Sequence, residues 1–226
     1  MCGRYTLAHV VGFKKRFGLM DKAPEIDVSY NITPGLINPV ITRNSPNRLE
    51  FMKWGLVPFW VKDPKIGYKM INARAEDIEK KPSFRKPIRS QRCLVLTTGF
   101  YEWKKMILEN KEEKIPFYIT LKGQEIFSFA GIYDEWKDAE GYPIKSYAII
   151  TTAANKMMGE IHDRMPVILS ESDEDIFLDQ KTPLEVILKL LKPCSSDTMQ
   201  AYPVSKDVNS PKNDSKDLLR KINNAI

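Results

Sequence analysis

Cys93-Leu94-Val95-Leu96, Pro116-Phe117-Tyr118-Ile119-Thr120-Leu121, Ile126-Phe127-Ser128-Phe129-Ala130-Gly131-Ile132-Tyr133 and Tyr147-Ala148-Ile149-Ile150-Thr151-Thr152 all lie within residues 93–152. Each is a short run rich in β-branched and aromatic residues, the types that fit a pleated, half-buried surface. Each also ends in glycine, proline or a polar cluster, so the stretch reads as successive strands. Lys105–Lys114 between them is charged and reads as an exposed hairpin tip. Working outward, residues 3–7 form a short strand, and Val40–Thr42 and Leu49–Trp54 flank the turn-rich Asn44-Ser45-Pro46-Asn47 as a hairpin. Helices fall at the periphery. Val10, Phe13, Phe17 and Met20 are spaced for an amphipathic helix over His9–Met20. Ser83–Arg89 reads as a short helix, and Ser170 opens another over acids that complement the macrodipole. Thr182-Pro183-Leu184-Glu185 matches a capping box for a last helix, stopped by Pro193. Asp207–Asp214 is polar and reads as loop. The expected fold is α+β: a mostly antiparallel sheet or barrel with peripheral helices, forming a single domain over residues 1–226 with no linker.

Composition narrows the class. The chain is 42% hydrophobic and 28% charged, with a net charge of +6. Lys80, Lys81, Arg85, Lys86, Arg89 and Arg92 lie in one segment without an acid, and that segment alone equals the whole excess. Such a patch is either a solvated face or a surface that neutralises phosphates. Three cysteines (Cys2, Cys93, Cys194) and two histidines (His9, His162) lack metal-ligand spacing, and the odd cysteine count argues against a disulfide framework. No metal and no cofactor are expected. No apolar run approaches the ~18 residues of a membrane span. Nothing ahead of Cys2 resembles a signal peptide or lipoprotein anchor, so a reducing cytoplasm is expected.

Five clusters mix polar groups with glycine, proline or aromatics at strand ends, where function tends to sit. They are Met1–Tyr5; Tyr30–Pro34; Trp54–Trp60; Asn72–Glu76 with Gly99–Trp103; and His162–Pro166. Removal of Met1 leaves Cys2 with amine and thiol on adjacent carbons, a trap for aldehydes: Schiff base first, then closure of a thiazolidine ring. Gly3 permits close approach, and Arg4 has the fork to hold a phosphate. Glu102, between Tyr101 and Trp103, is either an edge glutamate facing solvent or a carboxyl among aromatics with a raised pKa suited to acid/base work. His162, before Asp163-Arg164, is a proton shuttle or a surface histidine. Asn72 and Arg74, two apart in an extended segment, share a side and suit a sugar and a phosphate. Trp54, Trp60 and Trp103 are core residues or platforms for stacking single-stranded bases. His9 is assigned to a helix surface, Cys93 to the interior, and Cys194 has no evident partner.

In this order the five clusters resemble the SOS-response-associated peptidase (SRAP) family of abasic-site-processing proteins, from Cys2-Gly3-Arg4-Tyr5 to Pro203-Val204-Ser205. The resemblance implies that Cys2 forms a thiazolidine with the ring-opened abasic deoxyribose in single-stranded DNA. It implies that Asn72 positions the Cys2 amine and the sugar, that Glu102 assists ring opening, and that His162 moves protons around the Schiff base for reversal or strand-cleaving β-elimination. Arg4 and Arg74 would hold flanking phosphates, Trp60 and Pro34 would line the channel near the bases, and Thr151 or Thr152 would add a phosphate contact. The family name reflects an autopeptidase that frees Cys2; here only Met1 precedes it. The implied protein is a monomer, cytoplasmic and nucleoid-associated when on DNA. Two other readings compete: a thiol peptidase using Cys2 and His162 on proteins, and a non-catalytic single-strand-binding module.

Overall fold

The computed structural model describes residues 2–8, 10–20, 24–108 and 111–222; Met1 and the surface assignment of His9 lie outside them. Thirteen strands are present among the described residues: β1 (Arg4–Leu7), β2 (Ser29–Ile32), β3 (Ile37–Thr42), β4 (Ser45–Trp54), β5 (Asn72–Arg74), β6 (Arg92–Thr97), β7 (Gly99–Leu108), β8 (Lys111–Leu121), β9 (Phe127–Lys137), β10 (Pro143–Ala153), β11 (Arg164–Pro166), β12 (Ile168–Leu169) and β13 (Met199–Pro203). The helices are α1 (Phe13–Arg16), α2 (Pro82–Arg85), α3 (Pro87–Ser90), α4 (Lys156–Gly159), α5 (Glu171–Leu178) and α6 (Leu184–Leu190).

Strands β10, β4, β3, β6 and β9 pair in that order, and β9 returns to β10, closing a five-stranded barrel. The pairings are antiparallel except where β10 runs parallel to β4 and to β5. A second sheet has the order β13-β8-β7-β1-β2. The fold is therefore α+β, as the strand-rich middle predicted. One apolar core joins the two sheets. Tyr5 of β1 sets its ring 5.1 Å from Trp54 and 6.2 Å from Phe129, and its hydroxyl lies 2.7 Å from that of Tyr147. Packing is tight where β6 meets β9: a Cβ added at Gly131 would sit 2.8 Å from both Cys93 Sγ and Val95 Cγ2. Cys93 is interior, as expected.

Several local expectations are corrected. The helix expected over His9–Met20 is one turn, because Gly12 (φ 98°) and Gly18 (φ 56°) take left-handed conformations on either side of it. The helix expected at Ser83–Arg89 is split at Pro87, which lacks the amide to continue α2. Arg92 leaves the basic patch: it is buried, and its guanidinium donates to the carbonyls of Phe177, Ile88, Arg89 and Asp179. The capping box at Thr182 does not form, since Pro183 is extended (ψ 146°) and itself precedes α6 with no side-chain cap. Ser170 does cap α5, accepting from the Asp173 amide. The hairpin tip over Lys105–Lys114 is largely the paired ends of β7 and β8. No described helix is long and apolar enough to cross a membrane.

Candidate active site

The site forms where β1, β5 and β7 meet. β1 pairs with β7 at Arg4↔Tyr101, so the chain ahead of Arg4 runs back alongside Glu102. Cys2 is fully buried there, its thiol 3.9 Å from the Arg4 carbonyl. Asn72 arrives from the barrel on β5, which lies against β10. Upstream, Gly55 (φ 123°) passes Gly67 so closely that a Cβ on it would lie 2.7 Å from the Gly67 carbonyl oxygen. The Asn72 amide donates to the Cys2 carbonyl at 2.9 Å, while its buried Oδ1 has no partner among the described residues.

Glu102 is 2% exposed, which removes the solvent-facing alternative. Burial raises its pKa; the chain's amino terminus, His162 and a backbone hydrogen bond from Trp103 oppose that rise. Burial likewise pushes the Cys2 thiol up, and the charge of Glu102 adds to it, against the amino terminus and the backbone hydrogen bond at Arg4. Glu102 is thus electrostatically coupled to Cys2 on one side and to His162 on the other. His162 lies on the turn between α4 and β11. Its Nδ1 accepts the Arg164 amide at 3.0 Å and lies 2.9 Å from an Asp163 carboxylate oxygen. Glu102 and His162 both open on a cleft of about 790 Å³ between the β7–β8 ribbon, the 159–163 turn and Asn209.

The remaining predicted residues are more dispersed. Arg4 directs both terminal nitrogens at protein oxygens: Nη1 to Asn31 Oδ1 (2.7 Å) and the Val208 carbonyl (2.5 Å), Nη2 to the Asn209 carbonyl (3.1 Å). Arg74 is exposed at the end of β5. Thr151 and Thr152 are buried, and Thr151 takes a hydrogen bond from Arg164, whose fork also grips Glu76 at 2.7 and 3.0 Å. That fork is the first cause of the lowered pKa of Glu76. Pro34 is half-buried and Trp60 is half-exposed, next to Phe59, whose ring carries Lys86 at 4.4 Å. Trp54 is core, donating to the Ile71 carbonyl. Among the described residues no cluster of metal-binding side chains occurs.

Asn31 and Asn209 were not singled out from sequence. Asn31 lies in the Tyr30–Pro34 cluster, whose pattern assigns it no role, and Asn209 has no local signal at all.

Comparison with known proteins bears on the whole chain. Residues 1–211 match the family described as SOS response associated peptidase (SRAP). The chain is 46% identical over 224 residues to the abasic site processing protein YoqW of Bacillus subtilis (strain 168), covering 97% of this chain and 99% of that one. It is 32% identical over 228 residues to the abasic site processing protein HMCES of Xenopus tropicalis, covering 86% and 66% of the two chains. A crystal structure of a protein from Bacteroides thetaiotaomicron superposes with a TM-score of 0.88 at 32% identity, covering 98% of this chain and all of that one. With the Cys2, Asn72, Glu102 and His162 motifs gathered at one place in a fold of that shape, the chain belongs to the SRAP family.

Proposed function

We propose that this protein processes abasic sites in single-stranded DNA by covalent capture on Cys2. The observation that carries the reading is the hydrogen bond from Asn72 to the Cys2 carbonyl, which fixes the first residues of the chain against a buried carboxyl, Glu102. Relatives named abasic site processing proteins support the same substrate.

The electrostatics set the order of steps. A thiol raised by burial and by a neighbouring carboxylate is a poor thiolate, so the α-amine freed by removal of Met1 attacks first. Glu102 transfers the proton that opens the cyclic sugar hemiacetal to its aldehyde. The amine lone pair adds to that carbon, and the carbinolamine takes up a proton and loses water to give an iminium. The thiol then adds to the iminium carbon and gives up its proton, so that a thiazolidine results; aldehyde plus aminothiol gives ring plus water. His162, at the cleft mouth, serves the steps that follow iminium formation. Withdrawal of a C2′ proton with departure of the 3′ phosphate cleaves the strand, and return of water reverses the link. The unpartnered Oδ1 of Asn72 is an acceptor for the Cys2 amine. Exposed Arg74 suits a flanking phosphate, with Trp60 and Pro34 towards the bases. Buried Thr151 and Thr152 suit a contact only through movement, and Arg4 acts chiefly as a strut. The protein would act as a cytoplasmic monomer.

The same electrostatics weaken the peptidase reading: an acyl-transfer cysteine needs a thiolate stabilised by imidazolium, and here a carboxyl group neighbours the thiol. A passive binding module leaves a buried carboxyl and thiol unexplained. The test is a denaturing gel with abasic single-stranded DNA and protein whose mass lacks Met1. A band resistant to denaturant is expected for wild type and Cys93→Ala and not for Cys2→Ala. A stable adduct in Cys2→Ala overturns the mechanism.

A further inference from the structure

Arg4 and Asn31 converge on a single target, the segment 204–214, which they tie to β1 and β2. Asn31 is buried, and its amide nitrogen serves the carbonyls of Val208 (3.3 Å), Ser210 (3.0 Å) and Asn213 (2.7 Å). Its Oδ1 accepts from Arg4, which itself takes the Val208 and Asn209 carbonyls. Asp214 closes the far end on the Tyr30 amide and the Ser29 hydroxyl. Val208 packs in the small core formed with Tyr101 and Tyr118. These side chains satisfy carbonyls of a segment that includes the 3-10 turn Lys206–Asn209.

What the clamp holds in place is Asn209. This residue lines the cleft opposite the 159–163 turn, and its Oδ1 accepts the Trp103 indole N–H at 2.8 Å. With the carbonyl end engaged, the amide nitrogen is the end turned outward, and a primary amide nitrogen is only a donor. Around it the cleft wall carries Lys104, Lys105 and Lys114; the last two sit directly opposite each other across β7 and β8. Lys105 is paired with Glu112 at 3.1 Å, and the 159–163 turn brings Glu160 and Asp163 to the same cleft, so the lysines balance carboxylates as well as any phosphate there.

The geometry points to Asn209 as a DNA-contacting residue that donates to a phosphate oxygen next to the captured sugar, with Asn31 and Arg4 as the positioning residues that hold it there. This rests on the abasic-site reading above. It assigns the clamp residues to the position of the cleft wall.

The experiment measures crosslinking rate against the concentration of an abasic oligonucleotide, for wild type, Asn209→Ala, Asn209→Asp and Asn31→Ala. A hydrogen bond to a charged phosphate oxygen corresponds to a change of about ten- to a hundredfold in binding. Asn209→Ala should raise the half-saturating concentration by that factor while the plateau rate stays within twofold. Asn209→Asp still accepts from Trp103 but presents a carboxylate to the phosphate, so it should exceed Ala. The salt slope should be unchanged in Asn209→Ala, because a neutral donor displaces no counterion. An oligonucleotide with methylphosphonates flanking the site should weaken wild type and erase the difference between wild type and Asn209→Ala. Asn31→Ala should follow Asn209→Ala; if it fails to fold, the two Asn209 variants decide. Unchanged half-saturation in both Asn209 variants, or a loss confined to the plateau, overturns the assignment. No adduct with wild type would instead overturn the abasic-site reading itself.

Discussion

Glu102→Gln keeps the size of the side chain and removes its ionisation, and its consequences have opposite signs in three measurements. Glu102 is 2% exposed, and burial is the leading cause of its raised pKa. A carboxyl that binds its proton more tightly folded than unfolded favours the folded state fully only at acidic pH, below the unfolded carboxylate range. That contribution is lost as pH rises through the folded value, and above it a cost remains of about 1.36 kcal/mol for each tenfold difference in proton affinity. Glutamine carries no such dependence. The variant should therefore have the higher urea midpoint at pH 8, with the gap to wild type closing as pH falls towards 4. General acid/base assistance is worth about 10²–10⁴-fold, so crosslinking to a closed-ring abasic site should slow by that factor, about 2.7–5.5 kcal/mol of barrier. The Cys2 thiol should move the other way. Glu102 is the second cause of its raised pKa, so the variant should react faster with iodoacetamide at a given pH. Rapid-quench gels, urea titrations at several pH values and alkylation rates read the three effects separately. Crosslinking within twofold of wild type refutes the catalytic role. Slower crosslinking with lower stability at every pH shows a packing role instead.

His162→Ala should leave initial capture within about tenfold of wild type and slow release and strand cleavage by at least the ~10²-fold typical of a lost proton shuttle, read as time courses on one oligonucleotide. Arg74→Ala, at an exposed strand end, should flatten the salt dependence of single-strand binding by about 0.7, whereas Arg4→Ala should weaken binding with a smaller change in slope, because its fork is already held by carbonyls. Equal slopes for the two variants would refute that distinction. Gly131→Ala should cost about 1–3 kcal/mol through overpacking against Cys93 and Val95, and Cys93→Ala should recover part of it in a double-mutant cycle measured by urea unfolding.

The sequence by itself determined β6, β9 and β10 of the barrel and β8 of the second sheet, because β-branched and aromatic runs between breakers are a local property of residues 93–152. It also determined the chemistry on offer: an amine and a thiol on Cys2 are adjacent by covalent structure, whatever the fold. The four motifs carrying Cys2, Asn72, Glu102 and His162 were legible for the same reason, since each is a short contiguous pattern. Tertiary structure decided what no local pattern encodes. Glu102 reads equally as a solvent-facing edge residue until β1 and Cys2 are laid alongside it, and that burial is what perturbs both groups. Arg92 looks like part of a basic surface until α5 covers it and supplies carbonyls for its guanidinium. The helix over His9–Met20 had the right spacing, but two left-handed glycines reduce it to a turn. Arg4 has a phosphate-binding fork in sequence, and its partners at Val208 and Asn209 lie about two hundred positions away. A guanidinium binds whichever oxygens the fold brings within 3 Å, so its role is fixed by chain closure and not by its neighbours in sequence.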